Sequence, residues 1–212
     1  KYTGDCVLVE WSRGCVGLCK FCKGRELLGP YRTKTPSLIV EELEFHLRRV
    51  ISKFTVCDLV LNGNAENIET VCDEIIRRNL KIEWKAEVLP ISNLDDEILY
   101  KMKKSGCVRI NIGFESGSQK ILDNINKEIK VEDLERAIKI CRENNINIGM
   151  YAMVNLPGEN LKTIRETMKF LKRNKIDSMT PNFPIPYFGT KIFEELKNKY
   201  KNTEFTWDNI ED

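Results

Sequence analysis

The chain has 212 residues, enough for one domain with a single continuous core. Its 34 basic and 32 acidic residues leave a net charge of +2, too balanced to argue for a nucleic-acid or membrane surface. The longest apolar runs are strand-length, so no membrane-spanning helix is expected, and the first residues lack the pattern of a secretory signal.

Strand-like and helical segments alternate from end to end. CVLVEW (Cys6–Trp11) reads as the first strand, followed by a cysteine-rich loop and an amphipathic helix over Pro36–Lys53. CDLVLNG (Cys57–Gly63) reads as the second strand, with IETVCDEIIRRN as the helix after it. KIEWKAEV (Lys81–Val88) alternates as a third strand, and NLDDEILYKMKKSG opens on an Asn cap and closes on Gly106. CVRINIGFES begins the fourth unit, with SQKILDNI and VEDLERAIKICREN behind it. INIGMYAMVNLPGE with NLKTIRETMKFLKRN makes the fifth, and SMTPNFPIP with TKIFEELKNKY the sixth.

Six β-then-α units at this spacing argue for an α/β fold with a mostly parallel sheet and right-handed crossovers. Six are too few for the closed eight-unit barrel, so a partial barrel and an open doubly wound sheet both fit. Either gathers ligands at the carboxyl ends of the strands, where the cysteine loop, NGNAEN, GFESGS, NLPGE and PNFPIPYFGT fall. One domain is expected over residues 1–200, with 201–212 (KNTEFTWDNIED) as the start of a further segment. Opening on Lys1 rather than Met, the chain reads as a piece of a longer protein.

WSRGCVGLCKFCKG (Trp11–Gly24) places Cys15, Cys19 and Cys22 in a C-x3-C-x2-C pattern. An odd number of thiols in so tight a loop cannot all be paired in disulfides. Structural zinc usually takes four ligands, often from two separated C-x2-C knuckles, and no second knuckle follows. A four-iron cluster is the other large consumer of clustered thiolates and ordinarily takes four. Three would leave one iron open to a substrate or cofactor, by the logic that separates catalytic from structural metal sites. The plainer alternative is three unrelated thiols. Eight cysteines without an export signal suit a reducing, cytoplasmic setting and, for a cluster, protection from oxygen.

The triplet after the first strand, with six β/α units behind it, resembles the radical S-adenosylmethionine (SAM) superfamily over nearly the whole chain. YR at Tyr31–Arg32, IGFESGSQKIL and NLPGE are most similar to the branch whose members often carry a cobalamin-binding domain, with methyltransferase, methylthiotransferase and oxidative-cyclase relatives. The resemblance implies a partial (β/α)6 TIM-like barrel of parallel strands with outer helices. It implies a [4Fe-4S] cluster on Cys15, Cys19 and Cys22, with SAM chelating the open iron through its methionyl amino and carboxylate groups. Reductive cleavage of SAM would release methionine and a 5′-deoxyadenosyl radical for modification of an unknown substrate, by methyl transfer or C–H functionalisation. A reductant such as a flavodoxin or ferredoxin is the implied partner. Cobalamin is expected only through a domain outside this chain.

Carried over residue by residue, the resemblance puts Phe21 beside the adenine and Gly63 and Glu66 near the methionyl amino group. It puts Glu115 and Ser116 in reach of SAM, the backbone at Asn155 near the adenine, and Pro184 in a stiff wall by it. For Glu115 the plainer reading is a cap on the next helix.

Cys6, Cys57, Cys72, Cys107 and Cys141 are spread too widely for a second cluster and read as core residues, with Cys107 kept open as a hydrogen-atom donor. The single histidine, His46, reads as a partly solvated mid-helix residue; its setting lacks the Asp-x-His-x-x-Gly run of a cobalt ligand. Arg13, Lys20, Lys23 and Arg25 surround the cysteine loop, where positive charge would offset the thiolates. RRVISK and KRNK read as basic runs on solvated helix faces. Two other functions stay in view: an iron–sulfur electron-transfer or sensing module without SAM cleavage, and a zinc-stabilised binding domain.

Overall fold

The computed structural model describes residues 6–91, 93–176 and 179–199, so the 201–212 segment lies outside the described residues. In chain order the strands are β1 (Cys6–Val9), β2 (Ser12–Arg13), β3 (Arg32–Thr33), β4 (Lys53–Val56), β5 (Glu83–Val88), β6 (Cys107–Glu115), β7 (Asn147–Met153) and β8 (Thr180–Asn182). β2 and β3 make a short antiparallel ribbon. The other six form one sheet, ordered β1-β4-β5-β6-β7-β8 and parallel throughout.

Side chains alternate across this sheet as strand geometry requires. On β6, Ile110, Ile112 and Phe114 are fully buried, while Arg109 on the opposite face is exposed and Asn111 partly so. On β1, Val7 and Val9 are buried and Leu8 is 70% exposed. A doubly wound sheet buries both faces. One buried face and one open face make this a half-barrel, helices outside and a concave face within.

The outer helices are α2 (Pro36–Leu47), α3 (Ala65–Arg77), α4 (Asp96–Lys104), α6 (Val131–Glu143), α7 (Leu161–Arg173) and α8 (Lys191–Lys199); α1 (Gly24–Leu28) and α5 (Gln119–Asn124) are short. Pro36 opens α2, where a missing N–H costs nothing. Asn64, Asp95 and Asn160 cap α3, α4 and α7 by accepting from backbone N–H groups in the first turn, so that the cap of α4 is Asp95 and not the expected Asn. Between helices and sheet, Trp11 lies 4.9 Å from Trp84, and Phe114 stacks on Phe170 of α7 at 4.8 Å between ring centroids. Each such ring contributes on the order of 2–3 kcal/mol by burial.

Several expectations need correction. α2 stops at Leu47 rather than Lys53, and the second sheet strand is Lys53–Val56 rather than Cys57–Gly63. The helix ends in a left-handed turn at Val50 (φ 64°), with the Ile51 N–H returning to the His46 carbonyl at 3.1 Å. Leu61–Gly63 is a 3-10 turn. RRVISK is therefore mostly the loop into β4, and His46 sits in the last turn of α2, its ring against Phe45 and Phe54. Cys72, Cys107 and Cys141 are core residues, but Cys6 and Cys57 are exposed on the concave side. Cys107 is fully buried at the start of β6, out of reach of any substrate.

Candidate cofactor site

The cysteine loop leaves the carboxyl end of β1 from a fixed point. The buried Asp58 carboxylate, just past β4, accepts from Trp11 N (2.9 Å), Ser12 N (2.7 Å) and Ser12 Oγ (2.6 Å). Burial pushes this carboxyl up to about 6, against the pull of the Ser12 and Trp11 donors. Farther along, the loop is gripped from two sides. The end of α5 supplies the Ile125 carbonyl to Lys20 N (2.9 Å) and Asn126 Nδ2 to the Leu18 carbonyl (3.0 Å). The start of α8 supplies Ile192 N to the Lys20 carbonyl (3.3 Å). Phe21 packs into a small apolar cluster with Ile121, Ile125, Leu156 and Met153.

Held this way, Cys15, Cys19 and Cys22 open on one cavity of about 540 Å³ that also takes in Lys20, Lys23, Arg25 and Gly189–Lys191. Gly17 N donates to Cys15 Sγ (3.3 Å) and Gly24 N to Cys22 Sγ (3.2 Å). Three of the loop cations are paired: Arg13 with Glu10 (2.6 Å), Lys20 with Glu195 (3.0 Å), and Lys23 with Glu26.

The charge that reaches the thiols most directly is one the sequence did not single out. Lys127 Nζ lies 2.9 Å from Glu115 Oε1, with both side chains 8% exposed. Burial pushes the Cys19 thiol up to about 11, and the Lys127 ammonium is the largest influence pulling it down. Burial also disfavours the charged form of Lys127, but Glu115 and the Cys19 and Cys15 sulfurs outweigh it and hold the ammonium above its ordinary value. Glu115 stands at φ 55° where the β6–β7 register shifts, which turns its carboxylate inward over Gly113. It does not cap α5, whose N-cap is Ser118. The signal for Lys127 is the turn before it. Asn126 takes φ 52° after α5, and the next residue, usually apolar, is a lysine whose N–H returns to the Leu122 carbonyl.

The remaining positions are more dispersed. Ser116 is buried, its hydroxyl 3.1 Å from Thr167 Oγ1 of α7 and accepting from Ser118 N. Gly63 lies under the Tyr31 ring, where a Cβ would come within 2.5 Å. Tyr31 in turn donates to the Leu61 carbonyl at 2.8 Å. Glu66 is exposed in the first turn of α3. Asn155 (φ 68°) donates its N–H to Glu159 and, with Pro184, lines a second cavity of about 850 Å³ that also takes in Ile192 and Leu196 of α8.

The donor set suits a cluster better than one ion. Among the described residues no three His, Cys, Asp or Glu side chains converge as ligands of a single metal. That disfavours zinc, whereas a four-iron cluster takes one thiolate per iron and asks for wider spacing.

The family model described as the radical SAM superfamily matches residues 9–171. The chain belongs to the radical SAM superfamily. It is 27% identical over 198 residues to the anaerobic magnesium-protoporphyrin IX monomethyl ester cyclase of Rubrivivax gelatinosus, covering 92% of this chain and 36% of that protein. It is 27% identical over 199 residues to an uncharacterised methyltransferase of Pyrococcus horikoshii, covering 92% and 43%. Among solved structures, the radical SAM methyltransferase TsrM of Kitasatospora setae, with cobalamin and a [4Fe-4S] cluster bound, superposes with a TM-score of 0.84 at 19% identity. That match covers 94% of this chain and 38% of TsrM, and shares its fold. The chain thus spans well under half the length of these relatives. Membership in the radical SAM superfamily implies a [4Fe-4S] cluster and SAM, which agrees with the three-thiol loop. No helix among the described residues is long and apolar enough to cross a membrane.

Proposed function

We propose that this chain is the catalytic core of a radical SAM enzyme, holding a [4Fe-4S] cluster on Cys15, Cys19 and Cys22 and SAM at the iron they leave open. The observation that carries the reading is the loop itself: three thiols on one cavity, with backbone N–H groups on two of the sulfurs. When bound, the reduced cluster supplies the electron that splits SAM into methionine and a 5′-deoxyadenosyl radical.

The chain's own residues bind, orient and balance charge. Lys127 offsets thiolate charge from inside the half-barrel, and Glu115 keeps Lys127 protonated and aimed. The N–H bonds at Cys15 and Cys22 withdraw electron density from those sulfurs, which favours the reduced state. Asp58 and the end of α5 keep the loop from shifting when it is loaded. Glu66, Asn155, Ser116 and Pro184 remain proposed contributors to SAM binding through the strand-end loops. The wall by Phe21 and Leu156 gives a purine an apolar surface.

The substrate modification is read as methyl transfer or C–H functionalisation, in keeping with relatives named as a methyltransferase and a cyclase. If a cobalamin step exists, it requires residues outside this chain. His46 is at the amino-terminal end of the strands, away from the cysteine loop, and cannot meet a corrin there.

The test is anaerobic reconstitution with iron and sulfide, followed by reduction in the presence of SAM. Methionine and 5′-deoxyadenosine are the expected products. A chain that holds an iron–sulfur cluster yet neither binds nor cleaves SAM would instead be an electron-transfer or sensing module. Retention of stoichiometric hydroxocobalamin through gel filtration would refute the cobalamin statement.

A further inference from the structure

The concave face carries chemistry that the cofactor site does not use. Leu8, Thr55, Lys85, Arg109 and Asn147 form one registered row across five strands. At its centre Lys85 and Arg109 stand directly opposite each other, both exposed. Like charges facing across a strand pair oppose sheet formation. Local choices that work against the fold are expected where function requires them.

Arg109 is held in place. Its Nε donates to Asn111 Oδ1 at 3.0 Å, and the guanidinium lies over Gly149 of the next strand. A Cβ at 149 would come within 2.5 Å of Arg109 Nη2 and 2.1 Å of Asn111 Oδ1, so glycine makes the room the guanidinium fills. No carboxylate answers the two cations. Among the described residues neither Lys85 nor Arg109 has an ion-pair partner, although Glu83 and Glu87 flank Lys85 on the same face. A planar fork beside a point charge is the combination that grips an oxyanion.

We propose that Lys85 and Arg109, with Asn111 positioning Arg109, form an anion subsite that holds a carboxylate or phosphate group of the small-molecule substrate. This assignment takes from the proposed function that substrate enters the concave face. The subsite itself is a binding property that can be measured without turnover.

The test is calorimetric titration of the reconstituted chain, saturated with SAM so that anions cannot reach the open iron, with inorganic phosphate and separately with succinate. Low ionic strength keeps screening small. Saturable binding of at least one anion is expected, weakened about tenfold or more by Lys85→Gln and by Arg109→Gln. Lys139→Gln, on the outer face of α6, should leave it unchanged. Preference for phosphate or for succinate tells which group the substrate carries. Because Arg109→Gln can disturb the β6–β7 contact, Lys85→Glu serves as a second variant and should abolish binding. No saturable binding of either anion to the parent chain, or equal weakening by Lys139→Gln, overturns the proposal. The titration is repeated without cluster or SAM. Anion binding there that still depends on Lys85 and Arg109 makes the subsite independent of the cofactors, so it stands even where the reconstituted, reduced chain releases no 5′-deoxyadenosine, the separate outcome that sinks the proposed function.

Discussion

Lys127 and Glu115 form a buried ion pair at 2.9 Å, and the charges of both reach the thiol of Cys19, the middle cysteine of the loop. Breaking such a pair from one side leaves a buried charge uncompensated, which costs about 3–5 kcal/mol. Glu115→Gln and Lys127→Met should each destabilise the cluster-free chain by that order in urea denaturation. The double variant should cost clearly less than the sum. Full additivity would mean the two groups do not interact. The sign of the pH dependence follows from Lys127. Its folded-state value is raised, so its contribution is intact at neutral pH and is lost as pH climbs through the alkaline lysine range.

The loop cysteines should separate cleanly from the others in iron binding. Alanine at Cys15, Cys19 or Cys22 is expected to remove most bound iron after anaerobic reconstitution. Cys72→Ala and Cys141→Ala should keep it, since burial pushes both thiols up to about 12 and leaves them as apolar fillers. Those two should lose about 1–2 kcal/mol of stability from the small void. Equal iron loss across all five variants would refute a cluster held by one loop.

What could be read from the sequence was local. The C-x3-C-x2-C spacing sits within eight residues, and helix ends such as Asn79-Leu80 and Asn145-Ile146 announce themselves as a left-handed Asn followed by an apolar residue. The order of β/α units needed only their alternation. CDLVLN misled because its alternation resembles a strand, whereas Asp58 is drawn inward by the Trp11 and Ser12 N–H groups and the chain turns there. The Lys127–Glu115 pair could not be read, because a bulged strand end and a capping turn bring it together across a helix. Nor could the facing of Lys85 and Arg109, which depends on a β5–β6 register that shifts just before Lys85. Cys57 looked like core until the half-barrel left its face open.

Asp58 gives a pH signature separate from the cluster. Its folded-state carboxyl is raised to about 6, so between roughly pH 4 and 6 the folded chain binds more protons than the unfolded one. Its contribution to stability therefore falls as pH rises through that window and is level above it. Asp58→Asn removes the titration but turns an amide N–H₂ or a single oxygen toward three donors, at a cost of about 1–3 kcal/mol. The stability difference between parent and variant should change across pH 4–6 and stay constant from pH 7 to 8. A difference constant over the whole range would show that Asp58 does not titrate there.

Val50 offers a gain rather than a loss. It closes α2 in the left-handed region at φ 64° and is 94% exposed. A β-branched residue there carries a steric cost of about 1–2 kcal/mol, and its side chain returns almost nothing by burial. The turn around it is well bonded, with Val50 N to the Leu47 carbonyl at 2.9 Å and Ile51 N to the His46 carbonyl at 3.1 Å, so the backbone has reason to stay. Val50→Asn and Val50→Gly should relieve the strain without disturbing those bonds. Asparagine keeps more of the unfolded chain's restriction, so it should do at least as well as glycine. A gain of about 1 kcal/mol is expected for each, visible as a higher urea midpoint with an unchanged slope. Val50→Ile, which keeps the branch, should give none. Loss of stability in both Val50→Asn and Val50→Gly would mean that the valine makes a contact worth more than its strain.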